Sequence, residues 1–142
     1  MEKIAIIRIS GLVKMRRDME ETLSRLRLRK KYVCVVVNPT SENMGMIRKI
    51  ENFVAYGKIN PETLEKLIEK RGQQTNKKKI DAKKAAEELI KGKDYEELNL
   101  KPFFRLHPPR KGIDSKKHFG TSSKGVLGDN KEKINDLILR ML

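Results

Sequence analysis

The chain has 142 residues, the size of one domain or of one domain with an added segment. It carries 33 Lys and Arg against 19 Asp and Glu, and a net charge of +14 attracts polyanions, usually nucleic acid and less often an anionic membrane. A single cysteine excludes an internal disulfide and a cysteine-based zinc site, and no apolar run is long enough to span a bilayer, so we expect a cytoplasmic protein. The alternative explanation of the charge is a highly charged surface of the kind found in thermophilic proteins, but the ion-pair networks of such surfaces need positive and negative residues in balance.

The N-terminal stretch Glu2–Ser10 predicts a strand in the middle of a sheet. It holds four isoleucines, and alternation places Ile4 and Ile6 on one face and Ala5 and Ile7 on the other. Because both faces are apolar, the strand belongs inside a sheet rather than at its edge. No cationic leader precedes it, so we expect no signal peptide.

A helix is predicted from near Arg16, because apolar residues recur at spacings of three and four as far as Leu26. It runs into the basic segment Arg27–Lys31. Cations at a helix C-terminus suit the helix dipole, and they equally suit contact with phosphate. The two interpretations are compatible, and the sequence does not choose between them.

Tyr32–Val37 predicts a second buried strand, which Pro39 ends because proline cannot continue a central strand. Cys34 in its middle is expected to be a small core residue rather than a reactive thiol. A second helix, capped by Thr40 or Ser41, follows it.

The second helix contains Gly45, a poor helix former that indicates close approach of its backbone to a neighbouring element or to RNA. A third strand is predicted at Phe53–Ile59. The order strand, helix, strand, helix, strand within residues 1–59 predicts a compact α/β unit.

The rest of the chain reads as two helices, an irregular basic stretch and a last helix. Pro61 begins one helix and Gly72 ends it, and a further helix starts at Asp81. Residues 101–128 are rich in proline, glycine and cations, so that the part from Gly112 to Lys124 is expected to be loosely held. A capping box and an apolar stripe predict a C-terminal helix at 130–141.

No set of residues has the matched roles that catalysis needs. His107 and His118 lie among prolines, glycines and cations, and two histidines this far apart do not make a metal site. Gly120–Gly125 begins like a phosphate-binding loop, but Val126 and Leu127 stand where Lys and Ser or Thr are required. We therefore expect no enzyme, no cofactor, no metal and no small-molecule substrate.

The stretch Pro102–Gly112 mixes aromatics, arginines, a histidine and prolines, which suits stacking on unpaired bases and neutralising phosphate. Phe103 and Leu106 are better explained as core residues of a fourth strand-like segment. The residues expected to contact RNA are cations and histidines spread over the chain: Lys14, Arg16, Arg17, Arg27, Arg29, Lys30, Lys31, Arg48, Arg105, His107, Arg110, Lys111, Lys116, Lys117, His118 and Lys124.

Pro102–Gly112 also resembles the FRLHPPR-type motif of the large-subunit ribosomal protein L thirty family in its archaeal form, whose eukaryotic relative is called L seven. Further matches follow in order along the whole chain, at Arg8–Gly11, Thr22–Leu23, Leu26–Leu28, Gly45–Met46, Gly57, Lys70–Gly72, Ile134–Ile138 and Arg140–Met141. Their combined order is far more specific than any single motif. In two departures, Tyr56 stands where the family usually has tryptophan, and Val126 interrupts what is often a Gly-Gly pair.

The resemblance implies a fold of the α/β class, α+β type: a βαβαβ core of residues 1–59 with a three-stranded antiparallel sheet, order 3-1-2, and two helices on one face. Residues 60–142 would form a mostly helical extension packed on this core, with an rRNA-binding stretch at 101–128. We expect the extension to cover open sheet surface, such as the face of Ile4 and Ile6.

The implied function is that of a structural constituent of the large (50S) ribosomal subunit. Its implied partners are 23S rRNA, 5S rRNA that it helps to seat, and neighbouring large-subunit proteins, and it catalyses no reaction. The alternative is an RNA-binding accessory or assembly protein that acts outside the mature ribosome. A small nucleotide-handling enzyme is a third class, which an intact phosphate-binding loop would have supported.

Overall fold

The structure, a computed structural model, describes residues 3–9, 16–72, 82–91, 95, 101–110, 112–118 and 125–142. Its elements in chain order are β1 (Lys3–Arg8), α1 (Arg17–Arg25), β2 (Val33–Val37), α2 (Ser41–Ile50), β3 (Val54–Ile59), α3 (Pro61–Arg71), α4 (Ala82–Ile90), β4 (Phe104–Arg105), β5 (Asp114–His118), β6 (Gly125–Asp129) and α5 (Ile134–Met141). A 3-10 turn at Lys131–Lys133 leads into α5.

The strands form one sheet in the order β4-β2-β1-β3-β6-β5. β1 lies antiparallel between β2 and β3, with Ile6 opposite Val35 on one side and opposite Tyr56 on the other. The α+β class is therefore confirmed, and the predicted order 3-1-2 describes the centre of the sheet.

The sheet is larger than the predicted three strands, because the extension adds strands to both of its edges. β4 adds antiparallel to β2 at one edge, whereas β6 adds parallel to β3 and β5 parallel to β6 at the other. The two residues of β4 lie within the strand-like segment expected around Phe103 and Leu106. Sequence patterns missed β5 and β6, because these two strands lie among glycines and cations.

Helices cover both faces of the sheet. α1 and α2 pack on the face that carries Ile4 and Ile6. Helices α3, α4 and α5 pack on the opposite face, which carries Ala5, Ile7 and Ile9. The expectation that the extension covers the Ile4 and Ile6 face was wrong, because the first two helices already bury that face.

Side chains cap two of the helix starts, and the cap by Thr40 was predicted. The Asn60 side chain accepts from the N–H of Thr63 at 2.7 Å, and the Thr40 hydroxyl accepts from the N–H of Asn43 at 3.2 Å. The backbone N–H of Asn60 also donates to Asn135 at 3.0 Å, which ties the start of α3 to α5. α5 itself begins at Ile134, after the 3-10 turn, and not at the predicted residue 130.

Cys34 is a core residue, as expected. It is fully buried in β2, where it faces Phe104 of β4. Burial raises the pKa of its thiol to about 12, so the group stays protonated at neutral pH.

Two glycines have opposite surroundings. A Cβ on Gly57 in β3 would overlap the backbone carbonyl of Lys131 and come within 3.0 Å of the Ile134 side chain, so the 3-10 turn packs directly on bare backbone. A Cβ on Gly45 in α2 would meet no described atom within 4 Å. Of the two causes offered for Gly45, close approach to a neighbouring element finds no support among the described residues.

We therefore expect one substitution to act with opposite signs at the two sites. Gly57→Ala should lower the free energy of unfolding by about 1–3 kcal/mol or more, because the backbone must move to admit the methyl group. Gly45→Ala should stabilise it by about 0.5–1 kcal/mol through higher helix propensity. Urea unfolding of the free chain measures both, and equal effects of the two changes would contradict the packing described.

Candidate nucleic-acid interface

The basic loop, which we define as residues 26–32 between α1 and β2, begins with a helix-ending motif. The N–H of Leu28 donates to the carbonyl of Leu23 at 2.8 Å, and the N–H of Arg27 donates to the carbonyl of Ser24 at 3.0 Å. Arg27 has φ +64°, the left-handed position that glycine usually fills. A cation therefore stands at the helix end at a backbone cost of about 1–2 kcal/mol.

The loop is fastened from inside the protein. Leu28 is fully buried, and its carbonyl accepts from the guanidinium Nη1 of Arg8, the last residue of the central strand, at 2.8 Å. The N–H of Tyr32 donates to the carbonyl of Arg8 at 2.7 Å. Burial lowers the pKa of Arg8 and Glu20 partly restores it, yet an arginine keeps its proton at neutral pH.

The extension brings a second basic segment against this loop. Arg105 in β4 pairs with Val33, and the N–H of Leu106 donates to the carbonyl of Tyr32 at 3.1 Å. Phe104, the other residue of β4, is fully buried. Phe103 and Leu106 on either side of β4 are half-buried, and each packs at the margin of one of the two cores. β4 thus places an exposed arginine beside loop residues some seventy positions earlier.

Four of the predicted RNA-binding residues meet at one place, which we call the basic cavity. It has a volume of about 370 Å³ and is lined by Arg27, Arg29, Lys30, Val33, Pro102, Phe103 and Arg105. No carboxylate from the described part of the chain lines it. The neighbouring Lys31 is exposed, and its ammonium lies 5.1 Å from the ring centre of Tyr32.

Other predicted residues lie elsewhere on the surface. Arg16 and Arg17 are exposed at the start of α1, where Arg16 lies 3.5 Å from the Asp18 carboxylate, and Arg48 is exposed on α2. None of the three lines the basic cavity.

The proline-containing segment runs along the end of α5. The N–H of His107 donates to the carbonyl of Met141 at 2.9 Å, and the N–H of Arg110 donates to that of Arg140 at 3.1 Å. In return, the Arg140 guanidinium donates to the carbonyls of Arg110 and Gly112 at 3.4 and 3.3 Å. The first two bonds use carbonyls that the end of α5 leaves open, and all four together hold exposed His107 and Arg110 on the body.

Three further predicted residues lie on a strand far from Arg105. Lys116, Lys117 and His118 belong to β5, at the edge opposite β4, about 24 Å away at the usual strand spacing. The side chains of these three residues lie outside what the structure describes, as do Lys14, Lys111 and Lys124 altogether. The segment from Gly112 to Lys124 was expected to be loosely held, and its described residues include β5, which pairs with β6.

The described ranges contain no cluster of three or more His, Cys, Asp or Glu that would hold a metal ion. In the same part of the chain, no helix has the length and apolarity needed to cross a membrane.

Comparisons with known proteins point in one direction. Residues 4–54 match the family model described as ribosomal protein L30p/L7e. The chain is similar to the large ribosomal subunit protein uL30 of Nanoarchaeum equitans, at 40% identity over 97% of both chains. The proteins of the same name from Archaeoglobus fulgidus and Methanococcus maripaludis are 40% and 38% identical, over 96% and 97% of this chain and 98% of each relative.

The left-handed backbone of Arg27 yields a stability prediction. Arg27→Gly should raise the free energy of unfolding of the free chain by about 1 kcal/mol, because glycine adopts this conformation without a Cβ penalty. Arg29→Gly is the matched control, since Arg29 is exposed in the same loop and has no positive φ. It should leave stability unchanged or lower it, and a gain at Arg29 equal to that at Arg27 would refute the assignment of strain.

Proposed function

The chain belongs to the ribosomal protein L30p/L7e family, and from that premise we propose that it binds large-subunit rRNA through cations held on a rigid fold. It is a structural constituent of the large ribosomal subunit, located with the ribosome in the cytoplasm, and it is not an enzyme.

The basic cavity is the observation that carries this proposal. Its cations follow the end of α1 or come from β4, so the dipole of α1, which acts within its last turn, does not account for all of them. Several exposed cations, with no carboxylate of the described residues among them, repel one another in the free protein. RNA phosphate relieves that repulsion and releases counterions, which favours binding.

The two sheet edges support a finer proposal. The β4 edge carries the basic cavity, and the β5 edge carries Lys116, Lys117 and His118. Cations on opposite edges of one sheet allow the chain to hold two RNA segments apart at a fixed distance. We therefore propose contact with 23S rRNA, help in seating 5S rRNA beside it, and contact with neighbouring large-subunit proteins.

The division into a core of residues 1–59 and an extension of residues 60–142 belongs to the same proposal. The matched family model spans residues 4–54, within the proposed core. The extension supplies β4 to one edge of the core sheet and β6 and β5 to the other. In this division the core positions the basic loop. The extension provides the wall of the basic cavity that lies opposite this loop, and it also provides the β5 edge of the sheet.

An RNA-binding accessory protein outside the mature ribosome is the alternative. Sedimentation of large subunits after a high-salt wash separates the two. A structural constituent stays with the particle, whereas an accessory protein is released.

The RNA surface is tested by removing charge at two places. The triple variant Arg29→Ala, Lys30→Ala and Arg105→Ala removes three cations from the basic cavity. The control triple Lys66→Ala, Lys70→Ala and Lys84→Ala removes three exposed cations from α3 and α4, in the nearly neutral middle of the chain. Both sets change net charge equally, and exposed substitutions of this kind usually alter stability by no more than about 0.5 kcal/mol each.

For the wild-type chain and deproteinised large-subunit rRNA, about six phosphate contacts would give a slope of log affinity against log salt near −5. The cavity triple should weaken binding and make the slope shallower by up to about 3, whereas the control should keep the wild-type slope. Separate titrations of 23S and 5S rRNA assign the partner. Equal losses in the two triples would mean that net charge, and not the cavity, governs binding.

A further inference from the structure

We propose that the basic cavity receives a single unpaired nucleotide of RNA, with its base against Phe103 and its phosphates against Arg27, Arg29 and Lys30. This inference rests on the proposed rRNA binding and deepens it by naming the RNA feature that the site accepts.

The shape of the site favours a single nucleotide over a double helix. The cavity lies between the basic loop and β4, and its volume of about 370 Å³ is within the range of about 300–1,000 Å³ typical of small-ligand sites. A double helix keeps its bases stacked inside and presents only backbone and groove edges to a concave site. An unpaired nucleotide can place its whole base in the hollow.

The lining of the basic cavity has an apolar part and a cationic part, which match the base and the phosphates of a nucleotide. Val33, which is 5% exposed, and the half-buried Pro102 and Phe103 supply an apolar floor, while the cations are exposed at the rim. A base is flat and largely apolar on its faces, and its phosphates are anionic. The floor therefore suits the base and the rim suits the phosphates on either side of it.

Another cavity shows why charge selects this site. A larger hollow of about 740 Å³ lies between the end of β3 and the start of α5, and it also has lysines in its lining. Its lining includes the carboxylates of Glu132 and Asp136, which repel phosphate. Among the residues that the structure describes, the basic cavity is lined by cations and by no carboxylate.

The aromatic ring at the floor has a stacking partner of the right kind. The guanidinium carbon of Arg105 lies 5.8 Å from the centre of the Phe103 ring. Phenylalanine rings and arginine guanidinium planes are the surfaces on which unpaired bases stack. Phe103 is half-buried and packs at the margin of the core that lies under α1 and α2, whereas Arg105 is exposed, so together they offer a fixed and an adaptable surface.

The wall opposite β4 is already ordered. Leu28 is buried, the Arg8 guanidinium holds its carbonyl, and the left-handed backbone at Arg27 sets the direction of the rim. Binding to a site that is formed in advance loses less conformational entropy than binding to a flexible loop.

The test separates the ring from the charge. Phe103→Leu keeps an apolar side chain but removes the aromatic face, and Phe103→Tyr keeps the ring. Phe53→Leu is the matched control, because Phe53 is also half-buried and packs on the same core but does not line the basic cavity. Each variant is titrated with randomised RNA single strands of about 12 nucleotides and with an RNA duplex of about equal length.

We expect Phe103→Leu to weaken single-strand binding by about 5- to 100-fold, the loss found when one aromatic–base stack is removed. Its duplex affinity should change less than about twofold, and Phe103→Tyr and Phe53→Leu should bind both probes like the wild type. Equal losses on both probes, an equal loss in Phe53→Leu, unchanged single-strand binding, or a wild type that binds only the duplex each overturn the inference.

A parallel titration with deproteinised large-subunit rRNA keeps the two proposals apart. If the wild-type chain fails to bind that rRNA, the proposed function itself is wrong. If the wild-type chain binds it while Phe103→Leu behaves like the wild type on single strands, only the nucleotide site is wrong.

Discussion

The position of the basic loop depends on a buried hydrogen bond from the guanidinium of Arg8 to the carbonyl of Leu28. Arg8 is 1% exposed, and burying its charge is costly unless its N–H groups are bonded. The bond joins the end of the central strand to the loop that carries Arg27 and Arg29. The strand that organises the core therefore also fixes where the cations stand.

The extension completes the same arrangement from the other side. β4 pairs with two residues of β2, and beyond them the hydroxyl of Tyr95 donates to the carbonyl of Val36 at 2.7 Å. β4 and Tyr95 thus bond to the outer edge of β2. Phe103 and Arg105 face the basic loop across the basic cavity. A protein with a structural role in the ribosome benefits from this rigidity, because RNA that binds to fixed charges is held in a fixed place.

Local patterns were sufficient for the core and insufficient for the site. Alternation around Ile4 and Ile7 identified the central strand because a period of two is visible within a few residues. The pairing of Val33 with Arg105 was not predictable, since a two-residue strand has no period and its partner is some seventy positions distant. Nor does an arginine signal left-handed backbone, so the conformation of Arg27 was hidden although its charge was evident.

The central claim is that the basic loop is formed before RNA binds, and amide hydrogen exchange in the free chain tests it most directly. The N–H groups of Leu28 and Tyr32 are bonded to the carbonyls of Leu23 and Arg8. They should exchange slowly, with protection close to that of Ile6 in the central strand. Exchange of both at the rate of an unstructured chain, while Ile6 stays protected, would contradict a preformed surface.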